Sequence, residues 1–221
     1  MAAFRGAATN QNKMTDGNTA ANTELLELFS ARSGHFRFES GYHGNQWLRL
    51  ERLFLRPERV RTFAVELAAR LRGLRVDAVC GPMVEGAFVG LTVAAELGVD
   101  FTYSERFESR ERGTLFPVDY RVPTGLREIL AGRRVVIVND VISAGSAVRG
   151  THADLVGCGA IPVGIAALLV LGPYAARLAA EFSLPLEVIV ALPGELWKPS
   201  QCPLCAAGIP IEDPVTWPTA G

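Results

Sequence analysis

A run of small and hydroxyl-bearing residues near the middle of the chain has the composition of an anion-binding loop. The apolar residues 135–138 lead into a polar segment made of Asn139, Asp140, Val141, Ile142, Ser143, Ala144, Gly145, Ser146 and Ala147. Small side chains allow backbone N–H groups to approach an anion, and the N-terminus of a following helix adds positive potential. Asp140 ends the apolar run, where its carboxylate can accept hydrogen bonds from sugar hydroxyls. The pattern therefore predicts a site for a sugar phosphate, with the hydroxyls of Ser143 and Ser146 as further donors.

An ordinary strand-to-helix turn with a serine at the N-cap would explain the same spacing, so composition alone leaves both interpretations open. Two common nucleotide-binding patterns are missing from the sequence. No Gly-Lys-Ser/Thr is present, which excludes a Walker loop, and no Gly-x-Gly-x-x-Gly is present, which excludes the dinucleotide fingerprint.

The loop stands within an alternation of strands and helices. Short apolar or β-branched runs predict strands over residues 76–80, 99–103, 134–138, 161–171 and 186–191. Apolar residues at helical spacing predict helices over residues 57–73, 87–97, 146–157 and 173–181. This alternation is typical of an α/β domain with a parallel sheet, in which ligands bind beyond the C-terminal ends of the strands. Three loops leave those ends, over residues 81–86, 104–114 and 139–147.

The remaining segments predict smaller elements. A short helix is expected over residues 23–31, and two extended segments over residues 34–41 and 47–54. The charged segment 104–114 has almost no core residues, so we expect a mobile loop or an exposed hairpin, with residues 115–122 as its return strand.

Three stretches of the chain resemble a known family. Residues 140–149, Asp-Val-Ile-Ser-Ala-Gly-Ser-Ala-Val-Arg, are similar to the phosphoribosyl-diphosphate motif of type I phosphoribosyltransferases, and most similar to the orotate phosphoribosyltransferase version. Residues 81–87, Gly-Pro-Met-Val-Glu-Gly-Ala, resemble the diphosphate-binding loop of that family. Residues 36–41, Phe-Arg-Phe-Glu-Ser-Gly, resemble the N-terminal segment that helps to form its base-binding hood. The resemblance extends over residues 34–191.

The resemblance implies a core of five parallel strands, an N-terminal hood, a flexible catalytic loop and a homodimer. The implied reaction joins a nucleobase, orotate or another, to 5-phosphoribosyl 1-diphosphate, with Mg²⁺ bound through the diphosphate. On this mapping, Asp140 holds the ribose hydroxyls beside Asn139, and residues 143–147 hold the 5′-phosphate. The diphosphate is assigned to Gly81, Pro82, Met83, Val84, Glu85 and Gly86. Arg106 and Arg110 of the charged segment are assigned, with Asp140, to catalysis.

The chain departs from the family pattern mainly in charge. Glu39 and Glu85 replace lysines, Asn139 replaces the first of two acidic residues, and the charged segment has arginines but no lysine or histidine. Leu171 stands where the family has an orotate-binding arginine, and a carboxylate-bearing base needs such a guanidinium. These changes leave open an alternative function, a non-catalytic regulatory protein that binds phosphoribosyl diphosphate or a nucleotide.

Cys202 and Cys205 form a single Cys-x-x-Cys pair. It can belong to a tail element that packs Trp197, Leu204 and Ile209 onto the domain, to a metal knuckle completed by distant residues, or to a redox site. A structural zinc site needs four ligands, and His35, His43 and His152 show no ligand spacing, so no metal ligand is assigned to the protein. Cys80 and Cys158 are expected to be core residues. Trp47 is expected either to stack on the base or to pack in the core.

Length and charge limit the remaining possibilities. The 221 residues suit one domain, with residues 1–22 as a disordered extension, residues 23–195 as the phosphoribosyltransferase-like domain including the hood, and residues 196–221 as a C-terminal tail. With 22 basic and 23 acidic residues, there is no basic excess for nucleic acid or a membrane surface. No apolar run is long enough to span a bilayer. The N-terminus lacks a secretory pattern, so a reduced, cytoplasmic location is expected.

Overall fold

A computed structural model describes Leu25 and residues 29–49, 53–108 and 118–213. The predicted extension over residues 1–22 lies outside these residues. The described residues form nine strands: β1 (Ser30–Arg37), β2 (His43–Arg49), β3 (Ala78–Pro82), β4 (Asp100–Glu108), β5 (Val118–Arg121), β6 (Arg134–Ile142), β7 (Ile161–Leu171), β8 (Leu186–Leu192) and β9 (Leu196–Trp197). The described helices are α1 (Pro57–Leu71), α2 (Glu85–Leu97), α3 (Thr124–Leu130), α4 (Ser146–Gly157), α5 (Tyr174–Phe182) and α6 (Pro203–Ala206).

The central sheet has six strands in the order β5-β4-β3-β6-β7-β8. Every neighbouring pair from β4 to β8 is parallel, which confirms the expected core of five parallel strands. β5 adds a sixth strand at one edge, antiparallel to β4. The strand order places the C-terminal ends of β3, β4 and β6 side by side at one edge of the sheet.

Helices cover both faces of this sheet, and the side chains of β6 explain why its sequence is a continuous apolar run. Val136 and Val138 belong to a core cluster with residues of α1 and α2, such as Phe63 and Val89. Val135 and Ile137 belong to a second cluster with residues of α3, α4 and α5, namely Leu130, Val148, Leu155 and Leu178. Alternate side chains of one strand therefore enter two cores, as expected for a parallel strand buried on both faces.

A second sheet, the hood, has three strands in the order β1-β2-β9, all antiparallel. Its third strand comes from residues 196–197, which the sequence analysis assigned to a C-terminal tail. His43 pairs with Trp197 and Gly44 with Leu196. The segment that follows the last core strand is therefore built into the hood, because its backbone completes the free edge of β2.

Several predicted boundaries need correction. The helix expected over residues 23–31 was predicted to end too far along the chain, because Ser30 and Ala31 belong to β1. Most of the rest of that segment lies outside the described residues. The extended segment 47–54 is also wrong at its end, where Leu53–Leu55 form a 3-10 turn. The segment 104–114 is a strand as far as Glu108, because it pairs with β5 as a hairpin. Residues 109–117 lie outside the described part of the chain.

The loop expected over residues 81–86 is shorter than predicted, because β3 includes Gly81 and Pro82 and α2 begins at Glu85. Strand β6 likewise continues to Ile142, beyond the predicted end at residue 138. In the described part of the chain, no helix is both long enough and apolar enough to cross a membrane.

Candidate active site

Two adjoining cavities lie at the sheet edge where β3, β4 and β6 end. The larger, of about 430 Å³, is lined by Glu39, Trp47, Leu48, Pro82, Met83, Val84, Glu85, Gly86, Arg106, Tyr120, Asn139, Asp140, Val141 and Ala147. The smaller, of about 220 Å³, is lined by Phe38, Glu39, Ser40, Trp47, Tyr120, Asn139, Val141, Ser143, Ala144, Gly145, Ser146 and Ala147. The two share six residues, so they form one continuous cleft between the core and the hood: Glu39, Trp47, Tyr120, Asn139, Val141 and Ala147.

Nearly all of the residues selected from the sequence line this cleft. The loop over residues 139–147 and residues 82–86 face each other across it, and Arg106 reaches it from the β4–β5 hairpin. Gly81 is not among the lining residues, and Arg110 lies outside the described residues. The fold therefore brings together three segments that are far apart in the chain.

The loop after β6 has the geometry of an anion-binding turn. Gly145 adopts φ +82°, a left-handed conformation that favours glycine, and it stands at the N-cap of α4. The backbone N–H of Arg149 donates to the Gly145 carbonyl at 2.9 Å, which closes the first helical turn. The Ser143 hydroxyl is buried, lines the smaller cavity, and has no hydrogen-bond partner among the described residues. A buried unpaired hydroxyl is costly, so this donor fits an incoming phosphate oxygen.

Glycines allow the β3–α2 turn to pack directly against the end of β6. A Cβ atom on Gly86 would lie 2.2 Å from Oδ1 of Asn139, and a Cβ on Gly81 would lie 2.5 Å from the Gly86 carbonyl oxygen. The Asn139 amide donates to the Val141 carbonyl at 2.9 Å. The peptide bond between Met83 and Val84 is cis. Gly81 thus packs against the backbone of the turn, and the Asn139 side chain packs against Gly86 and sets the distance between the turn and the end of β6.

Asp140 is a buried carboxyl group at the centre of the cleft. The pKa of Asp140 is raised to about 7, mainly by burial and to a smaller extent by the nearby Glu85 carboxylate, against the opposite effect of hydrogen bonds from backbone N–H groups. The side chain is therefore poised between its protonated and ionised forms near neutral pH. A carboxylate in this position can accept hydrogen bonds from vicinal hydroxyls that enter the cleft.

Glu39 does not stand alone in the cleft, although it replaces a lysine of the resembled family. The Tyr120 hydroxyl donates to Oε1 of Glu39 at 2.8 Å, and Nε of Arg106 lies 3.1 Å from Oε2. Burial and the adjacent Glu39 raise the pKa of the Tyr120 hydroxyl, so it stays protonated as a donor. Arg106 and Tyr120 are direct partners across the β4–β5 hairpin. The hairpin and the hood are therefore joined through the Glu39 carboxylate.

Sequence reasoning missed Tyr120. The residue lies in a short strand, and it reaches the cleft only through its antiparallel pairing with Arg106, which no local spacing reveals.

The hood contributes aromatic rings as well. Trp47 stacks on Phe38 with ring centroids 5.8 Å apart and planes inclined by 6°. Trp47 also lines both cavities. Of the two roles expected for it, stacking on the base and packing in the core, its position is compatible with the first.

Leu171 is 4% exposed and packs in the core cluster beneath α1 and α2. It lines neither cavity, so the position where the resembled family has an orotate-binding arginine contributes no side chain to the cleft. Among the described residues, Arg106 is the only Lys or Arg that lines either cavity. It pairs with Glu39, and the carboxyl groups of Glu85 and Asp140 line the same cavity.

The spacing of the histidines at 35 and 43 in the sequence indicated no ligand set, and the fold brings them together with the Cys-x-x-Cys pair. Hood strands β1 and β2 bring them within 4.8 Å of the sulfur atoms of Cys202 and Cys205. The other two cysteines follow prediction: Cys80 is fully buried, and Cys158 packs against the same core cluster.

A parallel sheet, a glycine turn between its central strand and the next helix, and a hood over the cleft at the C-terminal ends of the strands together indicate an α/β transferase of this architecture. A family model described as the phosphoribosyl transferase domain matches residues 55–173, which is more than half of the chain. The chain therefore belongs to the phosphoribosyltransferase family, and the resemblance drawn from its motifs is confirmed.

Relatives named orotate phosphoribosyltransferase cover most of the chain. The protein from Chlorobaculum parvum is 30% identical over 198 residues, which span 87% of this chain and 95% of that protein. The protein from Caldanaerobacter subterraneus subsp. tengcongensis is 29% identical over 195 residues, 86% of this chain and 95% of its own length.

Solved structures confirm the fold. Orotate phosphoribosyltransferase from Aeropyrum pernix superposes with a TM-score of 0.58 at 22% identity, covering 77% of this chain and 93% of that one. Adenine phosphoribosyltransferase from Rhodothermus marinus gives a TM-score of 0.62 at 20% identity, covering 79% of this chain and all of that one. At these identities, the similarity establishes the architecture and not the base.

Proposed function

We propose that this protein is a phosphoribosyltransferase of the orotate phosphoribosyltransferase type. It joins a nucleobase to 5-phosphoribosyl 1-diphosphate and releases a nucleoside 5′-monophosphate and diphosphate. The observation that carries the proposal is that the loop over residues 139–147 and the turn over residues 82–86 line one cleft. The names of the most similar relatives support the same activity.

Each part of the substrate has a matching part of the cleft. Residues 143–147 bind the 5′-phosphate through backbone N–H groups at the start of α4 and the unpaired hydroxyl of Ser143. Asp140 accepts hydrogen bonds from the ribose hydroxyls, and Asn139 holds the loop beside it. Residues 82–86 contact the diphosphate, and Gly81 supports their turn. The base enters beneath the hood, beside Trp47 and Phe38.

The reaction breaks the bond between C1 of the ribose and the diphosphate oxygen, and forms a bond from C1 to a ring nitrogen of the base, which releases its proton to solvent. The electron pair of the broken bond leaves with the diphosphate, so positive charge near this group favours the step. Arg106 stands at the cleft for this role, and Arg110 follows it in the same segment. Each guanidinium stabilises the leaving anion but cannot readily donate a proton at neutral pH.

Mg²⁺ fits the charge of the cleft. The lining contains the carboxyl groups of Glu39, Glu85 and Asp140 against a single guanidinium among the described residues. Phosphoribosyl diphosphate is itself strongly anionic, so the cleft favours the substrate when a divalent cation accompanies it. Oxygen atoms of carboxylates and phosphates are the ligands that this ion prefers, and bound to the diphosphate it neutralises charge on the leaving group.

The charges that line the cleft bear on which nucleobase it accepts. Leu171 faces the core, and Arg106, which lines the cleft, is already paired with Glu39. A carboxylate-bearing base loses a charge-assisted pair of ~2–5 kcal/mol under these conditions. We therefore expect orotate to be turned over poorly compared with a base that has no carboxylate. A homodimer and a cytoplasmic location complete the proposal.

A panel of purine and pyrimidine bases, assayed with phosphoribosyl diphosphate and Mg²⁺, tests the function. Diphosphate release that requires both a base and Mg²⁺, and is lost in Asp140→Ala, is the expected result. Rapid turnover at micromolar orotate would contradict the expectation for that base and would mean that another cation reaches its carboxylate. Tight binding of phosphoribosyl diphosphate without release for any base would instead assign the chain to the non-catalytic regulatory proteins.

A further inference from the structure

Two histidines and two cysteines meet where the hood contacts the C-terminal segment, outside the cleft. His35 lies in β1, His43 begins β2, and Cys202 and Cys205 lie at the start of α6 and within it. Their ligand atoms, one from each residue, lie within 4.8 Å of one another. His35, His43 and Cys202 are buried, at 1%, 5% and 3% exposure, and both cysteines are free thiols.

We propose that these four residues bind one Zn²⁺ ion as a closed Cys₂His₂ site. Four nitrogen and sulfur ligands in tetrahedral arrangement are the usual set for structural zinc. With Zn–N near 2.05 Å and Zn–S near 2.3 Å, a tetrahedron requires N···N of roughly 3.3 Å and N···S of roughly 3.6 Å.

Four of the six distances between the ligand atoms lie close to these values, and all six are within 4.8 Å. Nε2 of His35 lies 3.1 Å from Nδ1 of His43, and 3.5 Å and 3.7 Å from the sulfur atoms of Cys202 and Cys205. The Cys205 sulfur lies 3.2 Å from Nδ1 of His43. The atoms therefore already form the outline of a coordination sphere.

Hydrogen bonds within the cluster do not account for this arrangement. Nδ1 of His35 lies 2.7 Å from the Ile209 carbonyl oxygen, which accepts only from a protonated ring nitrogen. In the neutral ring, Nε2 of His35 then has one in-plane lone pair, and three groups converge on it. One lone pair can accept one well-aligned hydrogen bond, so it cannot satisfy three groups. A cation at the centre of the cluster would instead be bound by a lone pair from each of the four residues.

The surroundings of the cluster orient its ligands as outer partners do in metal sites. The contact between His35 and the Ile209 carbonyl fixes the ring tautomer that leaves Nε2 free to bind. The Glu212 N–H donates to the His35 carbonyl at 2.7 Å, so the end of the described chain is bound to β1. The turn that presents the two sulfur atoms is closed by the N–H of Ala206 donating to the Cys202 carbonyl at 3.1 Å.

The role of the ion follows from the positions of its ligands. Four protein ligands leave no open coordination position, so the site is structural. His35 and His43 stand on either side of the hairpin turn that contains Phe38, Glu39 and Ser40, all of which line the cleft. The ion therefore fixes the hood hairpin to the C-terminal segment and holds the turn over the cleft, without itself touching the substrate.

Metal content of the tag-free full-length protein, purified without chelators under reducing conditions, tests the proposal. Elemental analysis should find about one zinc per chain. Cys202→Ser and Cys205→Ser should each lose most of it, while Cys158→Ser should retain it. Cys158 is a matched control because its thiol donates to the Leu155 carbonyl within its own helix and lies outside the cluster. Cys205 is exposed, so its variant should remain folded.

Two further measurements keep the test independent of catalysis. Replacement of the zinc by Co²⁺ should give the intense visible and thiolate charge-transfer absorption of a tetrahedral sulfur-ligated ion in the wild type and not in Cys205→Ser. A strong chelator should lower the melting temperature of the wild type and leave that of Cys205→Ser unchanged. Wild-type protein without stoichiometric zinc and without the cobalt spectrum would overturn the proposal, as would cysteine variants that retain as much metal as Cys158→Ser. None of these results depends on which base the cleft binds.

Discussion

Gly145 shows how one residue determines whether the proposed phosphate loop, residues 143–147, can form. Its φ of +82° is unfavourable for residues with a Cβ, and an added Cβ would approach Cδ2 of Leu178 to 2.9 Å. We expect Gly145→Val to abolish binding of phosphoribosyl diphosphate in a protein that still folds, because the side chain distorts the turn and blocks the close backbone approach. Calorimetric titration with Mg²⁺ present measures the affinity.

Gly132→Val is the matched control for that variant. Gly132 also has a positive φ, of +74°, but nothing lies within 4 Å of an added Cβ and it lines neither cavity. It should carry a similar backbone strain and bind the ligand normally. Unchanged affinity in a folded Gly145→Val protein would contradict the assignment of the phosphate loop.

Asp140 should make the stability of the ligand-free protein depend on pH. Its pKa rises from 3.8 to about 7 on folding, so the folded state binds the extra proton between these values and loses stability as pH rises through them. Asp140→Asn removes this penalty. The stability gained by the variant over the wild type should grow by about 2 kcal/mol between pH 5.5 and pH 8.

Thermal unfolding of both proteins at the two pH values measures that difference, which corresponds to roughly 4–8 °C in melting temperature. Glu66→Gln, on the outer surface of α1, is a control for a general effect of removing one acidic group. A gain that stays constant with pH would mean that Asp140 titrates in its usual range.

At the scale of elements, the β4–β5 hairpin connects the core to the hood through Arg106 and Glu39. If the segment from residue 104 to 114 acts on the leaving diphosphate, at least one of Arg106→Ala, Arg110→Ala and Arg112→Ala should slow the chemical step by ~10²-fold or more. Ground-state binding should hardly change, because the charge is needed mainly as the bond breaks. Single-turnover kinetics separate the two effects.

Two further variants serve as controls for Arg106→Ala. Arg121→Ala removes an exposed guanidinium from the return strand of the same hairpin, and it should keep the wild-type rate. Glu39→Gln removes the charge with which Arg106 pairs, so it shows whether a slow Arg106→Ala reflects the lost guanidinium or an unpaired Glu39. Wild-type rates in all three arginine variants would exclude a catalytic role and favour a binding protein.

The long elements were predictable because their signals are local and periodic. Strand β7, helix α4 and the start of α1 agree with their predicted bounds, since a long apolar run and apolar residues at helical spacing can each be recognised from neighbouring residues alone. Helix α3 and strand β9 were missed. Their seven and two residues are too short for a period to be recognised, and β9 exists only because its backbone pairs with β2.

At the scale of the whole molecule, α2 carries an exposed apolar stripe. Phe88 and Leu91, at 50% and 52% exposure, lie on it at helical spacing, and Leu55 is 76% exposed near Phe88, which contacts Phe54. Such a patch favours burial against a second copy.

We expect Phe88→Glu to convert a dimer into monomers, measured by light scattering after size-exclusion chromatography. Ile129→Glu, on an exposed apolar residue of α3, should leave the dimer intact. A wild-type protein that is monomeric at high concentration would contradict this prediction.

The sequence by itself indicated the fold class, the segment proposed to bind the phosphate and the position of the turn between β3 and α2, because each depends on a contiguous string whose composition reflects its own backbone. Only the tertiary structure brought Tyr120 and Arg106 to Glu39, turned Leu171 into the core, and joined His35 and His43 to Cys202 and Cys205. These groups come from strands that pair at long range or from opposite ends of the chain. Their spacing in the sequence carries no period, and their proximity arises only when the sheet and the hood have assembled.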